Sequence, residues 1–163
     1  MARFFDFPNP VNEVAARVVA AGALTIAVTY LLTRNVFVLV VLAYGFVARV
    51  ATGPRLSPLG LLATRVVAPT IAPPRFVPGP PKRFAQGIGA TLTVSALVAH
   101  LLGAGTLAAV LVGAVVVAAS LEAAFGFCLG CRVFAVLMRV GVIPADVCEA
   151  CNDLRLRDDP VAA

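Results

Sequence analysis

Four apolar blocks decide what this chain can fold into. They run over residues 14–32, 35–50, 84–102 and 106–125 and are built mostly of Ala, Val, Leu and Gly. The apolar residues do not recur at a helical or strand period; each block is apolar all round, as a helix surrounded by hydrocarbon must be. A hydrocarbon layer about 30 Å thick takes roughly twenty such residues as a helix, and only helices and closed barrels satisfy their backbone groups inside it. With 61% hydrophobic and 13% charged residues in a chain of 163, there is more apolar surface than a water-soluble domain of this size could bury. The expectation is an all-α polytopic membrane protein, one membrane domain over residues 1–163, with four transmembrane helices arranged as two hairpins. The second block is the shortest, and Arg49 near its end can snorkel so that the helix still crosses.

A cleaved signal peptide is the competing reading of the first block, because Arg3 precedes it and Ala-Ala-Gly-Ala at 20–23 resembles a cleavage region. The block exceeds the roughly seven to fifteen residues of a signal core, and a second apolar block follows directly. A membrane helix is therefore the expectation.

Basic residues set the orientation, since Lys and Arg near membrane ends are retained on the cytoplasmic side. Arg3 and Arg17 lie at the start; Arg49, Arg55, Arg65, Arg75, Lys82 and Arg83 lie in or beside the segment joining the second and third blocks; Arg132, Arg139, Arg155 and Arg157 follow the fourth. Arg34 alone falls on the other side. Both termini are expected in the cytoplasm. The net charge of +5 is a topology signal first, and no motif, aromatic platform or basic stripe supports a nucleic-acid partner.

The segment at 52–83 holds most of the prolines and cannot be one continuous helix. Its centre, residues 59–67, reads as a short amphipathic piece in the membrane interface, and Val-Pro-Gly-Pro-Pro-Lys-Arg-Phe at 77–84 reads as extended chain. Near the N-terminus, Phe4, Phe5 and Phe7 suit the headgroup boundary, Pro10 fits the first turn of a helix, and Glu13 and Arg17 are spaced to pair. Gly87, Gly89, Gly113, Gly126 and Gly130 are candidates for close helix approach.

All four cysteines lie in a cytoplasmic tail, residues 126–157, as two CxxC pairs: Cys128 and Cys131, then Cys148 and Cys151 after sixteen intervening residues. Arg-Val-Phe-Ala-Val-Leu-Met-Arg-Val at 132–140 can form a short helix against the membrane face, ended by Gly141 and Pro144. Asp146 is a candidate N-cap for a terminal helix with Cys148 in its first turn.

The run Pro-Val-Asn-Glu-Val-Ala-Ala-Arg at 10–17, the loop from Arg55 to Gly89 and the paired cysteine runs resemble the bacterial integral membrane family named domain of unknown function 4395. The resemblance extends over nearly the whole chain. It implies a small multi-span inner-membrane protein whose relatives keep company with thioredoxin-like or rhodanese-like soluble proteins, and it supplies no catalytic roles.

The residues themselves leave two chemistries open. Two CxxC pairs at this spacing match tetrahedral zinc sites with Zn–S near ~2.3 Å, and the nearby arginines would offset the charge of four thiolates. Cys128, Cys131, Cys148 and Cys151 are then ligands of one zinc or iron ion that locks the tail to the bundle. Alternatively the same four residues cycle as thiols and disulfides, or relay sulfur, because cysteines three apart lie within disulfide reach. Cys148, near a helix N-terminus, would be the better nucleophile, passing electrons or sulfur to the more buried Cys128 and Cys131. Permanent disulfides are not expected in a reducing compartment, and a purely structural role for the cysteines is the third possibility. Thiol redox or sulfur relay with a soluble partner leads, and no cofactor is required by it.

Two further residues stand out. Glu122 lies two turns before Cys128 inside an apolar block, at the depth of Arg49 and Arg17, which makes an ion-pair cluster the plain reading and a proton-handling carboxylate the sharper one. His100, near the opposite end, is expected to hydrogen-bond a neighbouring helix. A transporter lacks an intramembrane polar pathway here.

Overall fold

The computed structural model describes residues 7–148 of the chain; Phe4, Phe5, Cys151 and the expected end of the tail lie outside them. The fold is all-α: α1 (Glu13–Thr33), α2 (Val36–Thr52), α3 (Pro58–Ile71), α4 (Gly79–Leu101), α5 (Gly105–Phe125) and α6 (Leu129–Arg139), followed by a 3-10 turn at Ala145–Cys148. Three helices, α1, α4 and α5, are long and apolar enough to cross a membrane, while α2 and α3 are shorter apolar helices. The chain is a membrane protein on that ground.

Each long helix starts where its sequence permits. Asn12 caps α1, its Oδ1 accepting from the Val14 amide at 3.0 Å, and Asn35 caps α2 by accepting from Phe37 at 2.8 Å. Between them Arg34 turns the chain with a left-handed φ of 53°, and its guanidinium donates to the Gly105 carbonyl at the head of α5. Pro10 is not in a helix, contrary to expectation. It precedes a two-residue strand, Val11–Asn12, that pairs antiparallel with Phe76–Val77, and Asn9 Oδ1 accepts from the Gly79 amide at 3.0 Å. This tie holds the N-terminus against the start of α4.

Helix α4 begins at Gly79, five residues ahead of the expected block. Pro80 and Pro81 occupy its first turn, where a missing N–H removes no intrahelical bond and a fixed φ favours the helix; the stretch is helical, not extended. Lys82 thereby becomes a helix residue. The central segment is also more regular than the proline content implies. Pro58–Ile71 is one apolar helix whose middle, Ala63–Val67, widens into a π-turn. The widening precedes Pro69, which has no N–H to offer the Arg65 carbonyl.

The core runs along the bundle axis. On α1 the buried Ala15, Val19, Ala23 and Ala27 recur every fourth residue, a strip narrow enough to bring neighbouring backbones close. Tyr30, Leu39, Leu42, Val112 and Thr93 are fully buried between α1, α2, α4 and α5. Gly89 lies under the Phe46 ring, where an added Cβ would come within 2.3 Å of a ring carbon. Gly87 and Gly113 face open space, so they are not the contact residues expected of them. Val40, Val41, Val98, Val110 and Val117 are exposed on the outside of the bundle, as lipid-facing positions are.

Candidate functional site

A cavity of about 350 Å³ lies between α1, α2 and α3 and includes Leu42, Arg49, Ser57 and Leu59 in its wall. No cysteine touches it. The chemistry-bearing residues collect elsewhere, where α5 ends and α6 begins.

Helix α5 stops at Gly126, which takes a left-handed φ of 67° and donates its amide to the Glu122 carbonyl at 2.9 Å. Glycine adopts this φ without the Cβ penalty. Arg17 of α1 closes the same terminus: its Nη2 donates to the carbonyls of Ala124 at 2.9 Å and Ala123 at 3.2 Å. A cation at a helix C-terminus satisfies orphan carbonyls and complements the dipole. Arg17 thus spends its charge on α5, and the expected pair with Glu13 does not form.

Two residues later the chain re-enters a helix. Cys128, in extended conformation, is the N-cap of α6, and its carbonyl accepts from the Arg132 amide at 3.2 Å. Cys131 is the third residue of the helix. The first CxxC pair therefore straddles a helix N-terminus, the position at which the dipole favours a thiolate. Cys128 is buried, Cys131 is half-buried, and both are free thiols.

Gly130 makes this placement possible. A Cβ there would come within 2.5 Å of the Ala85 Cβ and 2.6 Å of its Cα, so the first turn of α6 rests backbone to backbone on α4. Phe134 packs edge-on to Phe84 with ring centroids 5.6 Å apart, and the Arg132 guanidinium lies 5.1 Å from the Phe127 ring centroid.

Between α4 and α5, Lys82 Nζ donates to Glu122 Oε1 at 2.6 Å, with side chains only 10% and 15% exposed. Arg49 does not pair directly with Glu122. It donates through Nε to Gln86 Oε1 at 2.9 Å and through Nη1 to Ser57 Oγ at 3.2 Å, and lies over the Phe46 ring. The ion-pair partner is Lys82, which the charge pattern had assigned to the loop, because the helix starts a turn and a half early.

These groups set the two thiols apart. The Cys128 thiol is pulled below its ordinary value, first by the hydrogen bond from Cys131 and also by the Lys82 charge, against the opposing effects of burial and Glu122. Cys131 is pushed up, first because its proton is held in that hydrogen bond, then by burial and by the charge Cys128 carries. The two thiols are therefore inequivalent, Cys128 held below the ordinary thiol range and Cys131 above it.

The second pair behaves differently. Cys148 is buried and disulfide-bonded, and Cys151 lies outside the described residues. Asp146 sits within the 3-10 turn Ala145–Cys148, and the terminal helix expected to carry Cys148 in its first turn lies outside the described residues; among the described residues the helix N-terminus that holds a cysteine is that of α6, at Cys128. Among the described residues no three His, Cys, Asp or Glu side chains gather where they could hold a metal ion, so Cys128, Cys131 and Cys148 do not converge on one point. His100, far along α4, shares a 3.0 Å hydrogen bond between its Nδ1 and the Tyr30 hydroxyl.

The chain belongs to the family described as "Domain of unknown function (DUF4395)", whose model matches residues 11–139. That span contains Lys82, Glu122, Cys128 and Cys131 and ends before Cys148. No curated protein and no solved structure matches the chain.

Proposed function

We propose that this protein is a membrane-embedded thiol–disulfide exchange protein working at the cytoplasmic face, with Cys128 as the attacking thiolate and Cys131 as the resolving thiol. Its partner in this reading is a soluble protein bearing a disulfide, of the thioredoxin-like kind. The observation that carries the proposal is the placement of Cys128 as N-cap of α6 with Cys131 one turn inside it, both thiols free.

The exchange runs in two balanced steps. The Cys128 thiolate attacks one sulfur of the partner disulfide, forming a Cys128–partner bond and releasing the partner's other sulfur as a thiolate. Cys131 then loses its proton and attacks the Cys128 sulfur, closing a Cys128–Cys131 disulfide and releasing the partner as a dithiol once protons are taken up. The partner is reduced and the pair is oxidised. Cys148 and Cys151 belong to this reading as a second couple that exchanges with the first.

The membrane arrangement in this proposal has four spans and both termini inside. Helix α2, at 17 residues, is about 26 Å long at 1.5 Å per residue, short of the full layer but extended at its inner end by Arg49, whose hydrogen bonds to Gln86 and Ser57 lower the cost of that charge. Every Lys and Arg except Arg34 then lies at or near the inner face.

The decisive experiment replaces Cys131 with Ser in the full chain and isolates it from membranes without reductant, blocking free thiols first. Cys131→Ser should accumulate a partner in a reductant-sensitive adduct through Cys128, which the double variant Cys128→Ser, Cys131→Ser lacks. An added sulfur on Cys128 with no protein adduct would mark sulfur relay instead. About one equivalent of zinc or iron, with thiols that resist alkylation until chelation, would overturn exchange in favour of a metal-locked tail.

A further inference from the structure

No step of the exchange reaction uses the cavity between α1, α2 and α3. Its wall is mostly carbon, with Ala23 and Ile26 from α1, Leu42 from α2 and Leu59 from α3. Along α2 the lining runs from Val41 to Arg49, roughly 12 Å of helix at 1.5 Å per residue. Val41, Tyr44 and Leu62 of the same wall are more than half exposed, so the cavity opens through the outer flank of the bundle, the side that meets hydrocarbon in a membrane. A volume of about 350 Å³ is that of the smaller ligand sites.

The polar groups of the wall are hydrogen-bond donors. Arg49 is 5% exposed, and among the described residues its partners are neutral: Gln86 Oε1 accepts from Nε at 2.9 Å, Ser57 Oγ accepts from Nη1 at 3.2 Å, and the Phe46 ring lies under the guanidinium. A guanidinium has five N–H groups and no acceptor. Ser57 Oγ also accepts from the Gly60 amide at 3.2 Å, so its two lone pairs are engaged and its O–H is the group it has to offer. Gly45 keeps α2 bare beside them; a Cβ there would lie 3.1 Å from Arg49 Nη1. Glu122, the carboxylate buried in this part of the bundle, is bonded to Lys82, which leaves the charge of Arg49 unmatched. A buried cation without a counter-ion is costly. An apolar chamber that ends in two donors and an unmatched positive charge is complementary to an anion carried on an apolar chain.

We propose that this cavity binds a long-chain carboxylate, a fatty acid taken from the surrounding membrane. The carboxylate accepts from Arg49 and Ser57 and supplies the counter-charge, and the chain follows the apolar wall to the flank at Val41, Tyr44 and Leu62. Because the chain passes from one apolar medium to another, it gains little by entering. Selectivity therefore rests on the head group.

The test places the full chain in nanodiscs of phosphatidylcholine with hexadecanoate bearing a photoreactive diazirine in mid-chain as the probe. Irradiation should attach it to α2 and α3 at residues of the cavity wall. Unlabelled hexadecanoate should compete at least tenfold better than hexadecanol, the size of effect expected when a charge-assisted hydrogen bond is lost. Arg49→Gln should weaken hexadecanoate at least tenfold and abolish its advantage over the alcohol, and Arg49→Lys, which keeps the charge, should retain part of it. Val41→Trp, at an exposed position of the wall, should obstruct labelling while leaving the unfolding midpoint unchanged, so the outcome does not depend on how well the Arg49 variants fold. Equal competition by hexadecanol would overturn the anion site. Labelling that survives Val41→Trp at wild-type level would overturn the cavity as its location, and stronger competition by a neutral quinone or by phosphatidylglycerol would overturn the fatty acid as occupant.

Discussion

The two ends of the bundle are built from the same apolar residues and differ in how they treat polar groups. At one end a single neutral contact, Tyr30 to His100, joins α1 to α4, and Arg34 reaches across to the Gly105 carbonyl. At the other, Arg17, Arg49, Lys82 and Glu122 are held by partners on neighbouring helices, and the free thiols feel the charges of Lys82 and Glu122. The first end resembles an ordinary helix joint in lipid, satisfied by one hydrogen bond. The second accepts several desolvated charges, and it is the end at which a free thiol caps a helix N-terminus. Unequal polar cost on two ends of one bundle marks the end at which charge is used.

The largest effect that would break this comparison comes from stranding a charge. Lys82→Met leaves Glu122 without its ammonium between α4 and α5, and loss of one partner from a buried pair costs about 3–5 kcal/mol. Thermal unfolding in detergent should show it. Adding Glu122→Leu to Lys82→Met should restore most of the stability, because two apolar groups replace the pair. If Lys82→Met leaves the unfolding midpoint unmoved, the pair is solvated and the two ends do not differ in the way described.

Next in size is Gly130→Ala. The new methyl would come within 2.6 Å of Ala85 atoms on α4, and overpacking of this kind costs about 1–3 kcal/mol. Since the first turn of α6 must lift away from α4, the thiols should leave the neighbourhood of Lys82 and Glu122 as well. Alkylation of Cys128 at neutral pH should slow in step with the loss of stability. Gly113→Ala, at a glycine with nothing within 4 Å, should be neutral or slightly stabilising, as a helix interior prefers alanine.

How much of this was legible in the sequence follows from what each signal measures. The apolar blocks fixed helices α1, α4 and α5 because twenty residues without polar interruption have few other uses. They misplaced the start of α4, since hydropathy reads Pro80, Pro81 and Lys82 as loop, whereas backbone geometry admits proline in a first helical turn. That error hid the partner of Glu122, which was sought at Arg49 and Arg17 by matching depth. The CxxC spacing identified the cysteines without ranking them. The short helix expected at 132–140 starts earlier than that, directly after Gly126, a C-cap signal that ends α5 and frees the next residues to cap α6. The order Gly-Phe-Cys after an apolar block was the available clue.

The smallest expected effect sharpens the comparison at the level of a single hydrogen bond. At the quiet end, Tyr30→Phe removes the hydroxyl that meets His100 and should cost about 1 kcal/mol, with alkylation of Cys128 unchanged. At the thiol end the corresponding deletion is Cys131→Ala, which removes the hydrogen bond that does most to lower the Cys128 thiol. A thiol whose value is depressed stays ionised as pH falls below the ordinary thiol range, so wild-type Cys128 should remain reactive toward iodoacetamide at neutral pH. In Cys131→Ala the same reaction should need more alkaline solution, because burial and Glu122 are then opposed only by Lys82 and the backbone hydrogen bond at position 131. Cys131→Ser, with a hydroxyl in place of the thiol, should fall between the two. Identical alkylation profiles for all three proteins would mean that the cysteines do not act on each other, and the thiol end would then be as inert as the joint at Tyr30 and His100.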